Sequence, residues 1–155
     1  MNRNRPVCHN QAILSGQEFT LDGNLNELGR LVEEVARFCR ENELAGEIEF
    51  DLNLAMEELF TNAIRHGGCD GVKDAVRVRL DRQGEGVRAE FCDRGREFDP
   101  AGAPEPDVTA PLADRPVGGL GLHLVRQIMR DIEYRRADGW NRVTMLRPIG
   151  TEATG

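Results

Sequence analysis

The chain has 155 residues, about the size of one domain, and its 39% apolar and 30% charged residues with six Phe, one Trp and one Tyr fit a globular profile rather than a disordered or fibrous one. Twenty basic residues against 27 acidic ones give a net charge of −7, which argues against a general attraction to nucleic acid phosphate or an anionic membrane surface and favours a basic protein partner. No apolar run approaches the ~20 residues of a membrane span, and the start MNRNRPVCHNQ has no signal-peptide core, so a cytoplasmic protein is expected.

Residues 1–16 lack periodicity and are read as a flexible N-terminal segment or the approach to an edge strand, with Phe19 and Leu21 pointing to one side. Asn24 followed by Glu27 has the form of a helix cap, and Leu28, Leu31, Val32, Val35 and Cys39 recur at helical spacing, which predicts a helix over about 25–40. A second helix is predicted from Asp51, as cap, to His66, with Gly67-Gly68 as its stop. Leu52, Ala55, Met56, Leu59 and Ala63 form its apolar stripe, while Glu58, Asn62 and His66 lie at i, i+4 and i+8 on another face.

Val76, Val78 and Leu80, a Gln83-Gly84-Glu85-Gly86 turn, and then Val87, Ala89 and Phe91 have the alternation of an antiparallel hairpin ending at Asp93. Residues 94–118 hold five of the seven prolines and no apolar period; a loop of that length inside one domain reads as a lid. Leu120, Leu124, Val125, Ile128 and Met129 predict a last helix, and Ile132–Arg136 and Val143–Arg147 a second hairpin about Asp138-Gly139. Residues 149–155 are read as a disordered tail. The element order predicts an α+β sandwich, with helices on one face of a mixed or mostly antiparallel sheet. Cys8, Cys39, Cys69 and Cys92 form no CxxC pair and read as reduced packing residues; Cys8-His9 has no second cluster to complete a metal site.

Three clusters carry chemistry. Glu58-x-x-x-Asn62 sets a carboxylate and an amide one helical turn apart, suited to a general base beside an oxygen ligand for Mg²⁺. Asp93-Arg94-Gly95 ends a strand with a carboxylate that can accept from the exocyclic amino group of adenine, whereas guanine offers a carbonyl there. Gly118-Gly119-Leu120-Gly121-Leu122 opens a helix with bare backbone N–H groups suited to phosphate oxygens. Taken singly, each also fits a plainer reading: a solvated helix face, an ordinary turn, and a hinge.

Their joint order resembles the N, G1 and G2 boxes of the GHKL ATP-binding superfamily, the gyrase, histidine kinase and MutL types. The words EELFTNAIRHG, CDRGREFDP and GGLGLHLVRQIMRDIEY are most similar to the small anti-sigma-factor serine/threonine kinases, the RsbW and SpoIIAB type, over about residues 17–148. The resemblance implies a single Bergerat-type ATP-binding domain, Mg-ATP beneath a lid over 94–118, and transfer of the γ-phosphoryl group to a serine or threonine of a STAS-domain anti-sigma factor antagonist. It also implies a sigma factor or other regulatory protein as a binding partner and is compatible with a homodimer. Carried over, Glu58 is the catalytic base, Asn62 the Mg²⁺ ligand, Asp93 the adenine reader and Gly95 the turn beside the base; Gly119, Leu120, Gly121 and Leu122 present N–H groups to phosphate. The alternatives are a non-catalytic ATP-binding interaction module and a stand-alone histidine kinase catalytic domain.

Two positions depart from the superfamily pattern: Glu97 stands where a second G1 glycine is common, and Asn141-Arg142 where Gly-Thr usually precedes the last strand. Glu57 points about 100° away from Glu58 round the helix and is read as solvent-facing. Arg115 is read as a surface arginine of the loop, His123 as structural, and His66 as a helix-end residue favoured by the dipole. Trp140 reads equally as a partner contact or a cap on the sheet edge.

Overall fold

Apolar residues recurring at every second position in four of the five strands build a sheet with one apolar face, and that face selects where the helices sit. The computed structural model describes residues 16–100, 102 and 119–150. In chain order the elements are β1 (Gln17–Leu21), a 3₁₀ turn (Leu25–Glu27), α1 (Leu28–Glu41), α2 (Gly46–Arg65), β2 (Val76–Gln83), β3 (Gly86–Asp93), α3 (Gly119–Ile128), β4 (Arg130–Ala137) and β5 (Trp140–Pro148). The sheet order is β1-β2-β3-β5-β4, and every pairing is antiparallel, so the mixed alternative is set aside.

Phe19, Val78, Phe91 and Val143 stand opposite one another across the strands, and all four are buried. Leu80, Ala89 and Met145 form the next buried row. Leu31, Val35 and Phe38 of α1, Leu52, Met56, Leu59 and Phe60 of α2, and Leu122 and Val125 of α3 close the core over this face. The other face carries Glu18, Arg77, Arg79, Glu90, Arg142 and Thr144. There the guanidiniums of Arg77 and Arg94 lie 5.0 and 4.5 Å from the Trp140 ring centroid, so Trp140 covers the outer side of the sheet.

Both hairpins form where turn chemistry placed them. Gly84, at φ +53°, opens a two-residue turn between Gln83 and Gly86. Asp138 and Gly139 take φ +54° and +80° in succession, the backbone twist that suits a tight hairpin. The helices differ more from expectation. Asn24 caps only the 3₁₀ turn, accepting from Asn26 N at 2.9 Å, and Glu27 reaches back to Asp22 N at 3.3 Å. Val32 is 37% exposed, because Leu31, Val35 and Phe38 define the buried stripe and Val32 lies off it. Leu124 is likewise 37% exposed, and Leu122, Val125 and Met129 are buried in its place.

The largest correction is at α2, which starts at Gly46, five residues before the predicted cap Asp51. Ile48 extends the buried stripe back by a turn, and Glu47 and Glu49 in the first turn suit the positive end of the helix dipole. Asp51 is spent elsewhere: its carboxylate accepts from Arg147 Nε of β5 at 2.8 Å, tying helix to sheet. Cys39, Cys69 and Cys92 are free and buried, in accord with packing roles. Cys8, His9, Arg115, most of the 94–118 loop, nearly all of the 1–16 segment and residues 151–155 of the predicted tail lie outside the described residues.

Candidate functional site

Asp93 ends β3 opposite Val76 on one side and Asn141 on the other, and Arg136 of β4 stands opposite Asn141. A polar row thus crosses the helix-covered face at one end of the sheet. Asp93 Oδ1 accepts from Gly95 N at 2.8 Å and from Asn141 Nδ2 at 3.0 Å. Asn141, only 2% exposed, also donates to Arg96 O at 2.6 Å, and its Oδ1 accepts from Tyr134 Oη at 2.6 Å and Arg136 Nη1 at 3.0 Å. Arg136 further donates to Gly95 O at 2.6 Å. Burial pushes the Asp93 carboxyl above its ordinary range, opposed by the donors Asn141 and Gly95 N and by the Arg136 charge.

Gly95 is required by close approach. A β-carbon there would lie 2.7 Å from Asp93 Oδ1 and 2.9 Å from Gly67 O. Arg96 N donates to that same Gly67 O at 2.9 Å, which fastens the turn after β3 to the end of α2.

Little more than a helical turn back along α2, Asn62 Nδ2 donates to Glu58 Oε1 at 3.1 Å. Glu58 is half-buried; burial pushes its carboxyl up, while the Asn62 bond and the His66 charge pull it down. His66 is exposed at the C-terminal end of α2, its backbone N–H on Asn62 O at 2.9 Å, as the helix-end reading predicted. Gly121, in the first turn of α3, abuts the Glu58 carboxylate so closely that a β-carbon there would overlap it. The first turn of α3 therefore packs directly against the Glu58 carboxylate.

The structure thus brings Glu58, Asn62 and Gly121 together at one end, and Asp93 and Gly95 at the other, with α2 spanning both. Gly119 and Leu120 begin α3; Leu122, one residue past Gly121, buries its side chain in the core. Asn62 Oδ1 and Asp93 Oδ2 have no protein partner among the described residues and so remain free to accept from or ligate a bound group. No group of three or more His, Cys, Asp or Glu that could hold a metal occurs among the described residues, so a cation here would rely on few protein ligands and on ligand oxygens. His123, read as structural, is half-buried and bonds Gln127 one turn on at 3.1 Å.

Residue reading missed Asn141, Tyr134 and Arg136 as a site. A signal was available: Asn141 shares strand parity with the buried Val143 and Met145, which places an amide among core positions. Among the described residues no helix is long and apolar enough to cross a membrane.

Residues 21–147 match the family model described as a histidine kinase-like ATPase domain. The chain is 32% identical over 106 residues to the serine/threonine-protein kinase BtrW of Bordetella bronchiseptica, covering 68% of this chain and 75% of the relative. It is 30% identical over 126 residues to the serine-protein kinase RsbW of Bacillus pumilus, covering 77% of this chain and 69% of that one. Among solved structures, the RsbU and RsbW domains of a Mycobacterium tuberculosis protein superpose with a TM-score of 0.61 at 19% identity, over 86% of this chain. That likeness concerns the fold, and this chain spans 33% of the longer Mycobacterium chain.

Proposed function

The chain belongs to the histidine kinase-like ATPase domain family, and from that premise we propose that it is an ATP-dependent serine/threonine protein kinase of the anti-sigma, partner-switching kind. Its substrate is a serine or threonine of a STAS-domain antagonist, and its second partner is a sigma factor or similar regulator. The observation that carries this reading is the Glu58 carboxylate, half-buried and set against the start of α3 at Gly121. A module that only bound nucleotide would have no need of a base there.

Adenine would lie against Asp93, whose Oδ2, without a partner among the described residues, would accept from the exocyclic amino group. The backbone N–H groups of Gly119, Leu120, Gly121 and Leu122 receive the phosphates, which the N-terminal end of a helix favours. Mg²⁺, when bound, neutralises phosphate charge; Asn62 Oδ1, without a partner among the described residues, fits it as a single neutral oxygen ligand. Glu58 takes the proton of the acceptor hydroxyl as that oxygen bonds to the γ-phosphorus. The bond from that phosphorus to the bridging oxygen breaks, and ADP departs with the electron pair. Burial that holds the Glu58 carboxyl above its usual range makes it a stronger base than a solvated glutamate.

The test is incubation of the purified protein with labelled Mg-ATP, STAS-domain proteins and sigma factors, followed by mapping of any phosphorylated residue. The expected product is phosphoserine or phosphothreonine on a STAS protein. ATP bound without any phosphoprotein would leave a non-catalytic module, and phosphohistidine would point to the histidine kinase reading instead.

A further inference from the structure

Asp93 is not held by its own turn alone. Its Oδ1 is already doubly engaged, by Gly95 N at 2.8 Å and Asn141 Nδ2 at 3.0 Å, while Oδ2 has no protein partner among the described residues. Asp93 itself is half-buried rather than buried, so its carboxylate is not sealed from solvent. Asn141 is in turn immobilised. Tyr134 Oη and Arg136 Nη1 both donate to its Oδ1, which leaves its Nδ2 to point at Asp93 and the carbonyls of Gly95 and Arg96. An asparagine amide can flip; here two donors on one side and three acceptors on the other permit one orientation only.

We propose that Asn141, oriented by Tyr134 and Arg136, is a positioning residue for nucleotide binding: it commits Asp93 Oδ1 to the protein and thereby turns Oδ2 toward the base. The inference rests on the adenine reading of Asp93 given above. It adds that base selection is the work of a cross-strand row, Asp93–Asn141–Arg136, contributed by β3, β5 and β4. The same donation stabilises the ionised form of a carboxylate that burial opposes. Among the described residues, the titratable groups coupled to Asp93 are Arg136 from β4 and Cys69 from the segment after α2, the latter held up as a thiol by burial and by Asp93 itself; Tyr134 bonds Asn141, which in turn bonds Asp93.

The measurement is titration calorimetry of Mg-ADP and Mg-GDP across pH, on wild type, Asn141→Ala and Tyr134→Phe. Asn141→Ala is expected to weaken ADP by about tenfold at neutral pH, the scale of a lost hydrogen bond to a charged group. It should also move the acid loss of ADP binding to higher pH, because removing the donor raises the Asp93 carboxyl further. Tyr134→Phe deletes one hydroxyl from a half-buried ring and is expected to give a two- to threefold loss with a displacement in the same direction. An acid midpoint unchanged in Asn141→Ala overturns the proposal; if that variant does not fold, an unchanged midpoint in Tyr134→Phe overturns it equally. Wild type that fails to prefer ADP over GDP is a different result, since it removes the adenine reading of Asp93 itself.

Discussion

The Asp93 end and the Glu58 end of the site lie on the same helix-covered side of the sheet, yet they differ in how far their hydrogen bonding is completed without a ligand. At the Asp93 end, five side chain–side chain and side chain–backbone contacts of Asn141 and a further bond from Arg136 to Gly95 O lock three strands and the following turn together. At the Glu58 end, a single bond among the described residues, from Asn62 Nδ2 to Glu58 Oε1, joins the two polar side chains, with Gly121 of α3 packed against that carboxylate. Under the proposed function, the first would be a rigid recogniser and the second an open reactive end, a sensible division for a kinase. Base selection gains from preorganisation, because nothing has to be ordered on binding. An end that on this proposal admits ATP and a protein hydroxyl and then releases ADP is better served by groups that the ligand completes.

The sharpest break of this comparison is Glu58→Gln. Phosphoryl transfer is expected to fall by about 10²–10⁴-fold while ATP affinity stays within about threefold, since the amide keeps the shape and loses the base. Single-turnover transfer to a STAS protein, set beside calorimetric ATP affinity, measures both; a parallel fall of the two would mean the ends are not separable. Asp93→Asn comes next, because the amide brings an N–H group toward the adenine amino group and toward Asn141 Nδ2. ATP affinity is expected to drop by about 10–100-fold, with GTP affinity little changed, so that the ATP/GTP ratio collapses. Retention of that ratio in competition binding would remove Asp93 from base selection.

The smallest effect sharpens the contrast through pH. On the proposed role of Glu58 as base its working form is the carboxylate, and because burial raises that carboxyl, transfer is expected to be lost as pH falls through a value above the ordinary glutamate range. The charge of His66 opposes that rise. His66→Ala should therefore move the acid limb of the transfer rate to higher pH, lowering the rate about two- to threefold on that limb and leaving the alkaline plateau unchanged. ATP affinity at the Asp93 end should not follow. A rate profile indifferent to His66 would show that solvent screens it from Glu58.

Local chemistry made much of this protein readable from its residues. Alternation and the Gly84-Glu85 and Asp138-Gly139 turns are encoded within a few positions, and both hairpins, the apolar face and the polar line Glu58–Asn62–His66 followed directly. The family was legible for the same reason, since its boxes are short words. What the residues left undecided depends on partners far along the chain. Asp51 read as a helix cap because its neighbours allow it, but its carboxylate meets Arg147, ninety-six positions later, and α2 begins earlier. Asn141 read as a departure from a pattern, and only the register of β5 against β3 set it opposite Asp93, forty-eight positions away, where a buried amide gains a full set of partners. Gly121 read as a phosphate glycine, yet its contact with Glu58 exists only once α3 has packed against α2. Turns and periods are properties of consecutive residues, so the sequence by itself determined the elements, the sheet's buried face and the family; which polar groups complete one another was decided by strand register and helix packing, because a hydrogen bond is made between atoms about 3 Å apart in space whatever their separation in the chain.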